Sequence, residues 1–193
     1  MRTTQERLNI LQEKLMSPDF LEKQGLGNEM SYYIFDYDPK DELLIRNAIP
    51  EMTAYITKHT RDRHFQEFNL YDIIIDFFDE RNYMQKNFKA EQKMGSERVM
   101  EKMQQGLKIA TERDVIVNYI KEQLDDEAIV LITGVGKAYP IIRSHVILNN
   151  LQSIVTRKPL IMFYPGRFEN NTLKLFDIFH DDNYYRAFQI VPR

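Results

Sequence analysis

Two uninterrupted apolar runs, Ala128 to Thr133 and Leu160 to Tyr164, constrain this chain more than any other feature. A strand with one wet face alternates apolar and polar residues. A short continuous apolar run bounded by turn residues instead reads as a strand covered on both faces. The first run ends in Gly134-Val135-Gly136, and the second lies between Pro159 and Pro165-Gly166. Strands of this kind, alternating with amphipathic helices, specify a parallel sheet with helices packed on either side.

The rest of the chain fits that scheme. Leu8, Leu11 and Leu15 give helical spacing from Thr3 to Met16, and Ser17-Pro18-Asp19 stops the helix. Tyr32 to Phe35 is a compact aromatic and β-branched strand, after the turn Gly25 to Asn28. Asp38-Pro39 opens a helix with an apolar stripe of Ile45, Ile49, Met52 and Ile56, which Pro50 is expected to kink or divide. Phe65 to Leu70 alternates as a strand, and Tyr71 to Tyr83 places Ile74, Phe77 and Phe78 on one helical face. Helices are predicted over Ser96 to Gln105, with Gly106 as C-cap, and over Glu112 to Leu124. In the last third, a helix is predicted from Pro140 to about Leu151, another from Thr172 to Phe179, and a final strand from Arg186 to Val191.

The expected fold is therefore α/β. A single domain spans 1–193, with about five mainly parallel strands and helices on both faces. This is a Rossmann-like or P-loop-like architecture without a functional P-loop. Ile34, Ile129, Leu131, Ile161 and Phe163 should be fully buried. A chain of 193 residues, 43% apolar and 28% charged, is large enough for such a core and too apolar for disorder. The absence of cysteine excludes disulfides, thiolate metal ligands and cysteine nucleophiles. Charged residues break up the first fifteen positions, and no segment has the roughly 20 apolar residues of a membrane span, so a cytoplasmic protein is expected. Net charge is −3, with +4 from Ala128 onward and −7 before it. The basic third could face phosphate, but it carries no nucleic-acid motif and reads as a solvated surface around the sheet.

Ligands of such sheets bind beyond the carboxyl ends of the strands. Three candidates lie there. Thr133 to Lys137 suggests a phosphate loop, yet GxxxxGK[ST] would need Gly at Leu131 and a hydroxyl at Ala138, so half the nest and the metal ligand are missing. A tight turn is the simpler reading. Asp36-Tyr37-Asp38 resembles the DxD of haloacid-dehalogenase-type phosphatases, with Thr133 and Lys158 as conceivable partners. The strand ending in Pro165-Gly166 lacks the acids that such a Mg²⁺ site needs, and an N-cap plus a solvated turn is the alternative. His180-Asp181-Asp182 with Asn183 has metal-ligating side chains, but adjacent residues converge poorly on one ion. His59, His64 and His145 each stand alone. No cofactor, metal site or catalytic residue is assigned.

The segment Leu131 to Gln152, which contains this loop, closely resembles the central motif of BREX component B, the BrxB family of bacteriophage-exclusion systems. The resemblance extends to Gly25–Asn28, Tyr33–Tyr37 with Asp41 and Glu42, Asn69–Asp72, Phe163–Gly166 and Asp182–Phe188. Arg81 to Asp125 matches no part of the pattern. BREX operons combine a large ATPase, an adenine-specific DNA methyltransferase and PglZ, a protein of alkaline-phosphatase-like fold. Methylation marks host DNA, and the system blocks phage replication. The resemblance implies a non-enzymatic scaffold or adaptor that binds other BREX subunits, with PglZ the expected partner and the ATPase or methyltransferase as further candidates. Two other readings stay open: a divergent nucleotide hydrolase or Mg²⁺-dependent phosphatase or nuclease, and a DNA-binding module using the basic third. Aromatic and Arg residues dominate protein–protein hot spots. The candidate partner-binding residues are Tyr139, Arg143, Arg167, Tyr184, Tyr185 and Arg186, all at or beside predicted strand ends or a strand start.

Overall fold

The computed structural model describes residues 2–22, 32–109, 111–151, 154–156, 158–181 and 186–193, with backbone alone at 144, 145 and 181. Helix α1 (Thr4–Met16) begins at a capping box, in which Thr3 and Glu6 satisfy each other's backbone N–H groups. Its far end is closed by buried Arg63, which donates to the carbonyls of Leu15 and Ser17. A single turn, α2 (Asp19–Glu22), follows. Strand β1 (Tyr32–Tyr37) leads through a 3-10 turn (Pro39–Asp41), capped by the Asp38 carboxylate, into α3 (Glu42–His59).

Strand β2 (Phe65–Asn69) runs directly into α4 (Leu70–Asp79), with the Asn69 side chain as cap. Helices α5 (Met84–Met94), α6 (Ser96–Leu107) and α7 (Val115–Gln123) complete the middle of the chain. Strand β3 (Ile129–Thr133) is followed by the one-turn α8 (Val135–Ala138) and by α9 (Ser144–Leu151). Strands β4 (Leu160–Glu169), β5 (Thr172–Leu175), β6 (Phe179–Asp181) and β7 (Phe188–Gln189) end the fold.

The sheet order is β2-β3-β4-β1-β7, all parallel, and β4 also continues into an antiparallel tongue with β5 and β6. The strand side chains divide by parity. Phe35, Ile129, Leu131, Ile161 and Phe163 meet α1, α2 and α3 on one face. Ile34, Phe68, Val130, Ile132 and Met162 meet α4, α6, α7, α8 and α9 on the other. The five residues expected at full burial are all 1% exposed or less. With no wet face, the central strands have no reason to alternate.

Several expectations are corrected. Pro50 does not divide α3, because the buried stripe of Ile45, Ile49, Met52 and Ile56 holds both halves against the sheet. Gly106 lies inside α6, and Lys108 takes the left-handed capping position instead. Pro140 does not start a helix: its bond to Tyr139 is cis, and α9 begins at Ser144. No sequence expectation covers helix α5, which has few apolar residues (Met84, Phe88, Ala90 and Met94) and none that is buried. The final strand is confined to Phe188–Gln189.

The largest correction concerns residues 172–179, which form strands and not a helix. Leu173 and Leu175 point inward while Thr172 and Lys174 are part-exposed, a period of two. Asn170 and Asn171 both have positive φ, 51° and 60°, and join Glu169 to its partner Thr172. This is the geometry of a type I′ hairpin turn, for which Asn is well suited. Nor does β4 stop at Pro165-Gly166. Gly166, at φ 151°, lets it continue, since a Cβ there would lie 2.1 Å from the Lys174 carbonyl oxygen. Gly166→Ala should therefore lower stability by about 2 kcal/mol or more, read by urea denaturation.

Candidate functional site at the carboxyl ends of the strands

Helix α3 leaves β1 for one face of the sheet, whereas α4 and α8 leave β2 and β3 for the other. The resulting crevice, where this architecture receives ligands, opens between the carboxyl ends of β1 and β4. Asp36 sits there, 1% exposed. One carboxylate oxygen accepts from Arg7 Nη2 at 2.9 Å and from Gln189 Nε2 at 2.8 Å. The other accepts from Arg193 Nε at 2.8 Å and, more weakly, from the Phe168 N–H at 3.4 Å. Arg7 also donates to the Asp36 and Val191 carbonyls and lies over the Phe35 ring, its Cζ 4.7 Å from the ring centroid. Burial pulls the Arg7 pKa below its ordinary value, against the opposing attraction of Asp36.

Asp36 is thus the centre of a buried ion cluster and not part of a solvated turn. The capping half of that expectation holds for Asp38 alone, which accepts from the Lys40 N–H at 3.1 Å. The structure does not bring the other phosphatase-like residues to Asp36. The Thr133 hydroxyl donates to Glu67, and Lys158, at the amino end of β4, lies 3.2 Å from Glu127.

The loop after β3 is packed against protein. Gly134 has φ 69°, and a Cβ there would fall 2.0 Å from the Asn69 side-chain oxygen that caps α4. A Cβ at Gly136 would meet Phe176 and Pro165 at 2.9 Å. The two glycines therefore serve close approach of α8 to α4 and to the tongue. Lys137 lies 4.1 Å from the centroid of the Tyr71 ring and 4.0 Å from Asp72. His180 is exposed on β6, while Asp182 and Asn183 lie outside the described residues. Among the described residues, no group of three or more His, Cys, Asp or Glu could hold a metal ion. His59 stacks on Tyr55, and His64 pairs with Asp125 at 3.0 Å.

The candidate partner residues are distributed as follows. Tyr139 is partly buried, its ring edge-on to Phe176 and 4.9 Å from Phe179 between centroids. Arg167 is part-exposed and held by Asp177 at 3.1 Å and Glu169 at 3.6 Å. The turn between β5 and β6 links these two residues; it exposes Ile178 (69%), and Phe179 (45%) is exposed at the start of β6. Sequence reasoning missed both residues, because the segment reads as a helix until its hairpin is recognised. Arg143 and Arg186 are exposed. Residues 187–189, next to Arg186, line a cavity of about 420 Å³ with the tip of the β4–β5 hairpin. Tyr184 and Tyr185 lie outside the described residues.

Arg7→Ala should cost roughly 3–5 kcal/mol, because it strips a buried carboxylate of its principal cation. Lys137→Ala, on the surface, should change stability by no more than about 0.5 kcal/mol. Denaturant titration of the two variants side by side tests the contrast.

No helix among the described residues is long and apolar enough to cross a membrane. No solved structure matches the chain. Residues 66–190 match the family described as BREX protein BrxB. A Bacillus cereus (strain H3081.97) BREX protein BrxB is 44% identical over 193 residues, covering all of both chains. A second, from Escherichia coli O9:H4 (strain HS), is 34% identical over 189 residues, 96% of this chain and 90% of that one. With a family match over most of its length and relatives this similar from end to end, the chain belongs to the BrxB family of the BREX phage-defence system.

Proposed function

We propose that this protein is a non-enzymatic adaptor subunit of a BREX complex, and that PglZ docks on the carboxyl-end surface of its sheet. The observation that carries the proposal is the exposed apolar pair Ile178 and Phe179, backed by Tyr139 and beside Arg167. Apolar anchors rimmed by charged and polar groups are the usual composition of an interface centre. Next to this surface, the crevice that would serve a ligand is filled by the chain's own Arg7, Gln189 and Arg193. An adaptor needs a rigid frame and exposed anchors, and it needs no cavity.

The experiment presents the purified protein separately with PglZ, ATP and duplex DNA in a calorimeter. PglZ should bind. Ile178→Asp should weaken that binding by about 2 kcal/mol if Ile178 stands at the desolvated centre, and Arg186→Glu, beside the opposite end of the tongue, reads how far the surface extends. Their thermal melts should match the wild type, because both side chains are exposed. Arg167→Glu is a poorer probe, since it would set a third acid against Asp177 and Glu169. Unchanged PglZ affinity in both variants, with normal melts, sinks this surface. Saturable ATP binding lost in Lys137→Ala would favour the hydrolase reading, and tight duplex binding the nucleic-acid reading.

A further inference from the structure

A sheet edge carries main-chain N–H and C=O groups that another strand can pair. Among the described residues this sheet ends at β2, β7 and β6. The β2 edge is tied to its own chain: Gln66 donates to the Gln123 carbonyl at 2.7 Å and accepts from the Asp125 N–H at 2.8 Å. Strand β7 has only two residues. Strand β6, on the outer side of the tongue, pairs with β5 and with no other described strand. The exposed apolar pair Ile178 and Phe179 stands at its start. The docking surface is therefore also a strand edge.

The register of the tongue decides what kind of strand that edge accepts. Arg167 lies opposite Lys174, and Lys174 lies opposite His180, so three basic side chains form one row across β4, β5 and β6. Leu173 and Leu175, on either side of Lys174, are buried, which puts the row on the outer face. Arg167 is matched by Asp177 and Glu169. Lys174 and His180 have no ion-pair partner among the described residues. Like charges directly opposite each other weaken a sheet, and this row runs unmatched to the open edge.

A second copy of the chain fits the edge poorly. Pairing β6 with β6 about a two-fold axis would set the basic row against its own image. A phosphate backbone answers the charge but supplies acceptors only, and leaves the β6 carbonyls unpaired. An extended acidic segment answers both. Its main chain brings donors and acceptors, and a carboxylate beside His180 ends the row. The residues before and after that carboxylate point to the other face, where Phe179 lies.

We infer that the outer edge of β6 takes an extended acidic segment of the docking subunit as a fourth strand of the tongue, with a carboxylate beside His180 and Lys174 and an apolar neighbour beside Phe179. The inference rests on the docking surface proposed above and gives the form of its partner. The test uses the full chain with intact PglZ, then with short synthetic peptides tiling the PglZ sequence, and with duplex DNA. Amide hydrogen exchange reads the main chain of Phe179 to Asp181. Calorimetry compares wild type with the double variant Lys174→Glu, His180→Glu and with its milder Lys174→Gln, His180→Gln counterpart. Thermal melts check folding, which the reversal should spare because it relieves the repulsion within the row.

In the complex, exchange at these amides should slow by about tenfold or more, as for newly bonded strand groups. The peptides that bind should be acidic, their affinity should fall as salt rises, and the Glu double should lose about tenfold. If Ile178→Asp weakens PglZ binding but the β6 amides exchange as in the free protein, docking stands and strand addition fails. If neither PglZ nor any peptide binds, both fall. If wild-type protein self-associates with the same amides protected, the occupant is a second copy and the inference is overturned. Protection of these amides by duplex DNA would overturn it in favour of phosphate.

Discussion

The buried contact between Asp36 and Arg7 holds more of this structure than any other single interaction. Through it, and through Gln189 and Arg193 on the same carboxylate, helix α1, strand β1, the β4–β5 tongue and the segment around β7 meet at one point. Charges so deeply placed are costly to desolvate, and the cluster answers that cost with hydrogen bonds to both carboxylate oxygens. Within the cluster, Arg7 Nε has no hydrogen-bond partner among the described residues. A cluster of this kind gives specificity of arrangement before it gives stability. It selects one placement of α1 on the sheet, since only that placement leaves neither charge uncompensated.

The position of the cluster explains why familiar sequence signals mislead in this chain. Open α/β sheets collect ligands where neighbouring crossovers part to opposite faces, and here that place is occupied from within. The acidic β1 terminus and the glycine loop after β3 each resemble half of a catalytic motif. In three dimensions the first neutralises arginines and the second admits Asn69, Phe176 and Pro165 at close range. Glycine at a strand end is required whenever backbones approach closely, and phosphate binding is only one occasion for it.

What remains outward is unevenly charged and locally apolar. The tongue built on β4 carries Ile178 and Phe179 into solvent, and the α5–α6 hairpin carries the exposed cations Lys86, Lys89 and Lys93 on a strongly acidic part of the chain. The tongue continues a strand of the central sheet, whereas the hairpin meets the core through α6 and through part-buried Met84 of α5.

The primary sequence by itself determined the parallel, doubly covered sheet. Burial of both strand faces requires unbroken apolar runs, and residues 128–133 and 160–164 are such runs. It likewise determined the capping of α1, the identity of α4 and the buried stripe of α3, all of which rest on contacts within a few residues. The hairpin at 170–175 was also written there, in two adjacent Asn and a period of two, although Leu173 and Phe176, three residues apart, also fit a helical face. The Asp36 cluster was not legible. Its members lie 29, 153 and 157 residues from Asp36, so no local pattern records their meeting. Only tertiary structure decides whether an acid at a strand end faces water or arginine. That outcome depends on which distant cations the packed sheet leaves beside it.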